Sequence, residues 1–346
     1  MILAYVCTMS ELVIRVDANP EIALGHLRRC VSLAKALQKK GVEVLMVCSS
    51  DPAGDRMLSS SGIPWCHVAG RMDSPEDALE TAGLTREHGA RVVLLDSYSA
   101  GPETIETFRS AGLEVVCIDD LGQTDLPCDL VINGLPGAER LEYCCPVRLL
   151  GKDYLILAPE YWRPRPKESL GRELLVTMGG IDHYDYSSLV LEKVKGLRGD
   201  FGSTIIIGPY YENTYNIEAA ADELGDRVRL VRSPDSLYPF MQEAGAAVSA
   251  GGMTLYELAA MGVPTLGIAL WENQYVNVRE LGAKGVIEPV WHGMKEFGYE
   301  LDWALHTVLF DEKRREEMSR RGQEAFDGQG AMRVAKGILN LIRNTL

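Results

Sequence analysis

LVIRVDANPEIALGHLRRCVSLAKAL, residues 12–37, changes its periodicity once, and that change decides the fold. Leu12 to Val16 is an apolar run interrupted only by Arg15, with β-branched residues at Val13, Ile14 and Val16, the composition of a strand buried on both faces. A loop containing Asp17, Asn19 and Pro20 follows. Leu27, Cys30, Val31, Ala34 and Leu37 then recur at helical spacing, so a helix begins at or just after His26. A buried strand, a polar loop and an amphipathic helix form the first half of the crossover that parallel strands require.

The same unit recurs along the chain. VEVLMVC (42–48), RVVLL (91–95) and EVVCI (114–118) read as further buried strands, with a helix near 103–111. Beyond APEYWRPRPKESLGR, whose prolines and mixed charge mark a linker, come ELLVTMGG (173–180), TIIIG (204–208), RVRLVR (227–232), AAVSAGG (246–252) and PTLGIAL (264–270). Helices are predicted between them near 187–196, 214–224, 236–244 and 254–261. A length of 346 residues exceeds one ordinary core. The expected organisation is α/β, with two doubly wound parallel-sheet domains, 1–158 and 173–330, joined by a linker at 159–172. Such sheets bind ligands at the carboxyl ends of their strands, so a cleft between two facing domains is expected, with function in the loops that follow strands.

Composition narrows the partners. A formal net charge of −14 argues against nucleic acid, whose affinity rests on Lys and Arg neutralising phosphates. A small anion would need local help from helix termini instead. VVLLD and TLGIAL are far shorter than the roughly 20 residues of a membrane span, and the apolar start MILAYVCT lacks the basic region and cleavage site of a secretory leader. A cytoplasmic location is therefore expected. The eight cysteines are scattered without a CxxC pair or neighbouring histidines, so reduced thiols are expected and neither zinc nor another metal or cofactor.

Four loops carry the chemistry. His26 opens a helix, where the macrodipole opposes an imidazolium and favours the neutral ring that a general base requires; the alternative is a histidine that only hydrogen-bonds a loop carbonyl. Gly25 before it is read as freeing the backbone for the turn, and one of Arg28 and Arg29 as holding Asp17 or a substrate anion, with a solvated helix face as the alternative for Arg28. In VVLLDSY, Asp96 and Tyr98 stand at a strand end, and Tyr98 could donate its hydroxyl to a sugar. GGIDHYD offers Gly180 and Asp182. In AAVSAGGMTLYELAAMG, Ser249 ends a strand, and Gly251 and Gly252 stand before a helix whose amides could hold a diphosphate. Thr254 and Glu257 equally satisfy a TxxE capping box that would serve only the helix. Asn273 and Gln274 follow the next strand and could bond a sugar or a base edge, or cap the helix after them. Asp119 and Asp120 close another strand but point oppositely on an extended chain, so they do not pair as acid and base.

RVDANPEIALGHLRRCVSLAKAL, DSY, IDDL with DLVIN, LLGKDYLILAPEY, MGGID, and SAGGMTLYELAAMGVP with ENQ together resemble, in order and over nearly the whole chain, the PseG-type UDP-sugar hydrolases of pseudaminic acid biosynthesis. That family is similar in fold to the GT-B glycosyltransferases of the MurG type, with two Rossmann-like domains about a cleft. The resemblance implies a C-terminal helix, here 331–346, packing back on the first domain. It implies hydrolysis of UDP-2,4-diacetamido-2,4,6-trideoxy-β-L-altropyranose or a similar UDP-amino sugar, releasing UDP and the free sugar. His26 then falls on the base for water, Tyr98 and Asn273 on the sugar site, and Ser249, Gly251, Gly252, Thr254 and Glu257 on diphosphate and ribose. Ala23 replaces the first glycine of the family's GxGH, Met253 a small hydroxyl residue, and NGL at 133–135 an amide-rich run.

The expectation is water attack at the anomeric carbon, with His26 taking the proton and helix-terminus amides stabilising the leaving diphosphate. A glycosyltransferase of the same fold, with His26 deprotonating an acceptor hydroxyl, is the alternative, and a non-catalytic nucleotide-sugar binding protein a third.

Overall fold

The computed structural model describes residues 9–19, 24–70, 72, 74–162, 171, 173–211 and 214–345. The chain divides into two compact units, Met1–Pro159 with Gln329–Leu346, and Glu160–Gly328. Ala23, residues 1–8 and most of the prolines of the linker lie outside the described residues.

The first unit runs β1 (Leu12–Val16), α1 (Gly25–Gln38), β2 (Val44–Cys48), α2 (Pro52–Ser61), β3 (Trp65–His67), α3 (Pro75–Glu87), β4 (Val92–Asp96), α4 (Pro102–Ser110), β5 (Glu114–Ile118), β6 (Leu130–Asn133) and β7 (Val147–Leu150). Its sheet has the order β3-β2-β1-β4-β5-β6-β7 with every neighbouring pair parallel. The strand order reverses direction between β1 and β4, which opens a crevice at their carboxyl ends because the following loops leave in opposite senses. Strands β1, β2 and β4 are buried throughout, as their continuous apolar sequences require once helices cover both faces. Arg15 is the exception inside β1. Fully buried, it is neutralised by Asp77 from α3 at 2.8 Å and by Asp17, the pairing that makes a charge tolerable in a core.

Helix boundaries follow their caps. Asp51 accepts from the amides of Ala53 and Gly54 before Pro52 opens α2, and Gly62 closes that helix in the left-handed region at φ 75°. Ser74 accepts from Asp77 ahead of Pro75 in α3. The three-residue β3 and the weakly amphipathic α3 carry too little periodicity to be read from sequence.

The second unit contains β8 (Glu173–Thr177), α5 (Tyr186–Lys195), β9 (Gly202–Ile207), α6 (Tyr215–Leu224), β10 (Val228–Arg232), α7 (Tyr238–Glu243), β11 (Ala244–Ala250), α8 (Thr254–Ala260), β12 (Thr265–Ala269), α9 (Glu272–Ala283), β13 (Ile287–Trp291), α10 (Phe297–Phe310) and α11 (Glu312–Ala325). Its sheet is again all parallel, in the order β10-β9-β8-β11-β12-β13. Here the reversal lies between β8 and β11, beside the GGID and SAGG loops. Strand β10, at the edge, is only partly buried. The chain then returns to the first unit as α12 (Gly330–Thr345), whose apolar stripe of Ala331, Val334, Ala335, Ile338 and Ile342 is buried, with α1 as its main partner.

The described cysteines are free thiols, buried except Cys66 and Cys144. Cys128 and Cys145 touch sulfur to sulfur at 2.7 Å. Among the described residues no helix is long and apolar enough to cross a membrane, and no cluster of three or more His, Cys, Asp or Glu is arranged to hold a metal ion.

Candidate active site

The reversal point of the first sheet is chemically loaded. Val16, the last residue of β1, is in register with Asp96, the last of β4, so whatever opens α1 sits over the Asp96 carboxylate. His26 does: its Nδ1 lies 2.6 Å from Asp96 Oδ1. Arg29, one helical turn on, grips the same carboxylate from the side, Nε to Oδ2 at 2.6 Å and Nη2 to Oδ1, and its Nη1 reaches Asp120 beyond β5. Cys30 adds a thiol donor to Asp96 Oδ2 at 3.2 Å. His26, Arg29 and Asp96 are 6%, 7% and 1% exposed.

Burial alone would raise the Asp96 carboxyl, but Arg29 and then His26 outweigh it and hold it well below the ordinary carboxylate range. Burial opposes the Arg29 cation too; Asp120 and Asp96 more than compensate and raise it. Cys30 moves the other way, pushed well up by burial and by Asp96, so it stays a thiol. With Asp96 ionised, the short His26 contact needs its proton on Nδ1, which leaves Nε2 as the ring's acceptor. Among the described residues Nε2 has no hydrogen-bond partner. Tyr98 stands edge-on to the imidazole, ring centroids 4.5 Å apart at 86°, and is 36% exposed.

Several sequence-based expectations change here. Arg29 does not hold Asp17 and has little left for a substrate anion, since its guanidinium is committed to two carboxylates. Asp17 instead accepts from Arg15 and from the Ser49 amide at 2.8 Å, so it closes the buried ion cluster of β1. Gly25 is not at positive φ, and a Cβ there would meet nothing within 4 Å; its effect is to leave the surface before His26 bare, not to permit a turn. Asp96 and Asp120 are the residues that sequence undervalued. Asp119 and Asp120 do part company: Asp119 accepts from the Leu121 and Gln123 amides and the Tyr143 hydroxyl, whereas Asp120 turns to Arg29.

In the second unit the SAGG loop is divided. The Gly251 amide is spent on the Ile268 carbonyl at 2.8 Å and the Gln274 side chain at 3.2 Å, so it is not offered to a ligand as expected. A Cβ on Gly251 would stand 2.8 Å from Gln274 Cβ and Val278 Cγ2, and its glycine therefore serves the packing of α9. Gly252 differs, since a Cβ there would meet open space. Among the described residues the amides of Gly252, Met253 and Thr254 have no acceptor. Met253 caps α8 with no side-chain bond, so the TLYE sequence makes no capping box. Glu257 is buried, and Ser249, also buried, turns its hydroxyl to the Ala250 carbonyl. Gln274 spends its side-chain oxygen on Gly251 and Leu270 amides. Asp182 accepts from Tyr186 and Ser187 at the start of α5, a cap rather than a free ligand group, and the Gly180 carbonyl accepts from Tyr210. The Asn273 side chain lies outside the described residues.

Gly251→Val is therefore expected to destabilise the second unit by ~1–3 kcal/mol through overpacking against α9, while Gly252→Ala leaves its melting temperature within a few degrees. Thermal melts of the two variants check this; equal melting temperatures would remove the packing account of Gly251.

Comparison with known proteins agrees with this architecture. Residues 174–334 match the glycosyltransferase family 28 C-terminal domain. MurG of Acinetobacter baumannii superposes with a TM-score of 0.67 at 16% identity, covering 95% of this chain and 99% of that one. The chain has the GT-B fold. In sequence it is 24% identical over 321 residues to an uncharacterised protein of Methanocaldococcus jannaschii, covering 86% of this chain and 63% of the relative. It is 22% identical over 277 residues to the Helicobacter pylori pseudaminic acid cytidylyltransferase and UDP-2,4-diacetamido-2,4,6-trideoxy-β-L-altropyranose hydrolase, covering 77% of this chain and 45% of that protein.

Proposed function

We propose that this GT-B chain is a nucleotide-sugar hydrolase, releasing UDP and free sugar from a UDP-linked amino sugar such as UDP-2,4-diacetamido-2,4,6-trideoxy-β-L-altropyranose. The observation that carries the reading is the oriented imidazole: His26 keeps Nδ1–H on Asp96, whose carboxyl is held well below the ordinary range, and has Nε2 without a partner among the described residues. An imidazole so fixed is a general base. Its Nε2 takes a proton from water, the water oxygen bonds to the anomeric carbon, and the bond from that carbon to the diphosphate oxygen breaks with its electron pair leaving on UDP. A diphosphate is a good leaving group and requires no acid. Taken by itself, the second unit has the Gly252, Met253 and Thr254 amides open at the start of α8, a feature of the kind that holds a diphosphate. Tyr98, edge-on to the base and partly exposed, would bound the sugar. The likeness to the Helicobacter hydrolase supports the reaction class.

The match to a glycosyltransferase domain over 174–334 favours one second reading, transfer to an acceptor hydroxyl by the same base. Purified protein incubated with the UDP-sugar and no acceptor separates the two. Proton NMR of the anomeric signal is expected to show free sugar and UDP accumulating together. A donor that persists until an acceptor alcohol is added would overturn hydrolysis in favour of transfer.

A further inference from the structure

The second unit holds a cavity of about 480 Å³ at the amino edge of its sheet, where β8, β9 and β11 begin, closed by the end of α10 and the start of α11. The GGID and SAGG loops follow the carboxyl ends of β8 and β11, so this space belongs to the opposite edge. Its volume lies within the range of small-molecule sites. Phe201, Leu309 and Phe310 form an apolar wall, the two phenylalanine rings meeting edge to face at 6.0 Å and 68°.

The polar lining is what needs an occupant. Arg315 gives one hydrogen bond, from Nη2 to the Gly245 carbonyl at 3.1 Å; its Nε is buried with no acceptor, and among the described residues no carboxylate pairs with it. Burial consequently pulls this guanidinium below its ordinary value. Arg198, on the rim, also has no ion-pair or hydrogen-bond partner among the described residues. Glu173 lines the same cavity without a side-chain hydrogen bond or an ion pair among the described residues, and burial followed by the charge of Glu243 raises its carboxyl. Asp200, the other carboxylate of the lining, has a partner of its own, and Glu312 acts on Arg315 through its charge without a hydrogen bond; the Arg315 cation and the Glu173 anion, which share the cavity and do not pair, are complementary to a molecule that carries both signs. Arg315 is half-buried, but leaving its buried Nε without an acceptor is costly, and an acceptor on a ligand would relieve that cost.

We propose that this cavity binds a small zwitterion with an apolar side chain, of the α-amino acid type: Arg315 and Arg198 take the carboxylate, Glu173 takes the ammonium, and Phe201, Leu309 and Phe310 pack the side chain. The site is independent of the hydrolysis assigned to His26.

Calorimetric titration of the full chain with L-phenylalanine, 3-phenylpropionate and phenethylamine tests it, because the last two each lack one of the charges. Phenylalanine is expected to bind at least about tenfold more tightly than either, the loss attached to one charge-assisted hydrogen bond. Arg315→Gln should abolish phenylalanine binding, and Arg198→Gln, on the surface, should weaken it severalfold without changing the melting temperature. Glu173→Gln should erase the preference over 3-phenylpropionate. The proposal is overturned if no probe binds below about 10 mM, a Kd near the weak end of specific recognition, if 3-phenylpropionate binds as tightly as phenylalanine to the unaltered chain, or if Arg198→Gln and Arg315→Gln both bind as the unaltered chain does.

Discussion

Replacing His26 by Gln is expected to lower kcat for UDP-sugar hydrolysis by ~10²–10⁴-fold, the contribution of a positioned general base, with KM changed by no more than about threefold. Glutamine keeps a polar group near Asp96 but offers no atom that can take a proton at neutral pH. The ring makes no other bond that the fold depends on: Arg29 still compensates Asp96 after the imidazole is gone. The melting temperature should therefore move by only a few degrees, and the lost rate is a chemical loss rather than unfolding. Steady-state kinetics beside a thermal melt decide the matter. A variant hydrolysing within about threefold of the natural chain would remove His26 from the reaction, and with it the reading of the site as a base facing water.

The alternation of buried strand and helix was legible because its signal is period and composition, and the runs that sequence marks supply four strands of the first sheet and five of the second, leaving β3, β6, β7 and β13 unmarked. Strands β1, β5 and β8 fall where their apolar residues predict them. The short β3 shows why others are harder, since three residues define no period, whereas the half-exposed edge strand β10 lies within the run marked at 227–232. The candidate base was legible from position, since a histidine at the first turn after the first buried strand is local information. Its partners were not. Asp96 lies 70 residues away and meets His26 only because β4 pairs with β1; Asp120 joins through Arg29, from beyond β5. Side-chain commitments are equally nonlocal. Nothing around Gly251 says that Gln274 and Ile268 will consume its amide, and nothing around Asp17 says that Arg15 will claim it rather than Arg29.

Asp96→Asn is expected to damage both activity and stability, for separable reasons. The asparagine amide can donate to Nδ1, which drives the imidazole proton to Nε2, the atom that in the proposed reaction accepts one from water. In a serine protease triad the same tautomer error, produced by the same Asp-to-Asn change beside the catalytic histidine, lowers kcat by ~10⁴, and a loss of ~10³–10⁴ is expected here. Stability falls because the variant leaves Arg29 buried with Asp120 alone as counter-charge; breaking a buried pair from one side costs about 3–5 kcal/mol. Adding Arg29→Met removes the stranded cation, so the double variant should regain part of the stability and none of the activity, a split that general unfolding cannot produce. Acid provides a further check. The folded Asp96 carboxyl is depressed, so its contribution is complete above the unfolded value of ~3.9 and is lost as pH falls from there toward the folded value. The stability gap between the natural chain and Asp96→Asn should thus narrow as pH falls below about 4. Denaturant melts across that range measure it, and a gap unchanged at about pH 3 would mean that the Asp96 charge does not hold this site together.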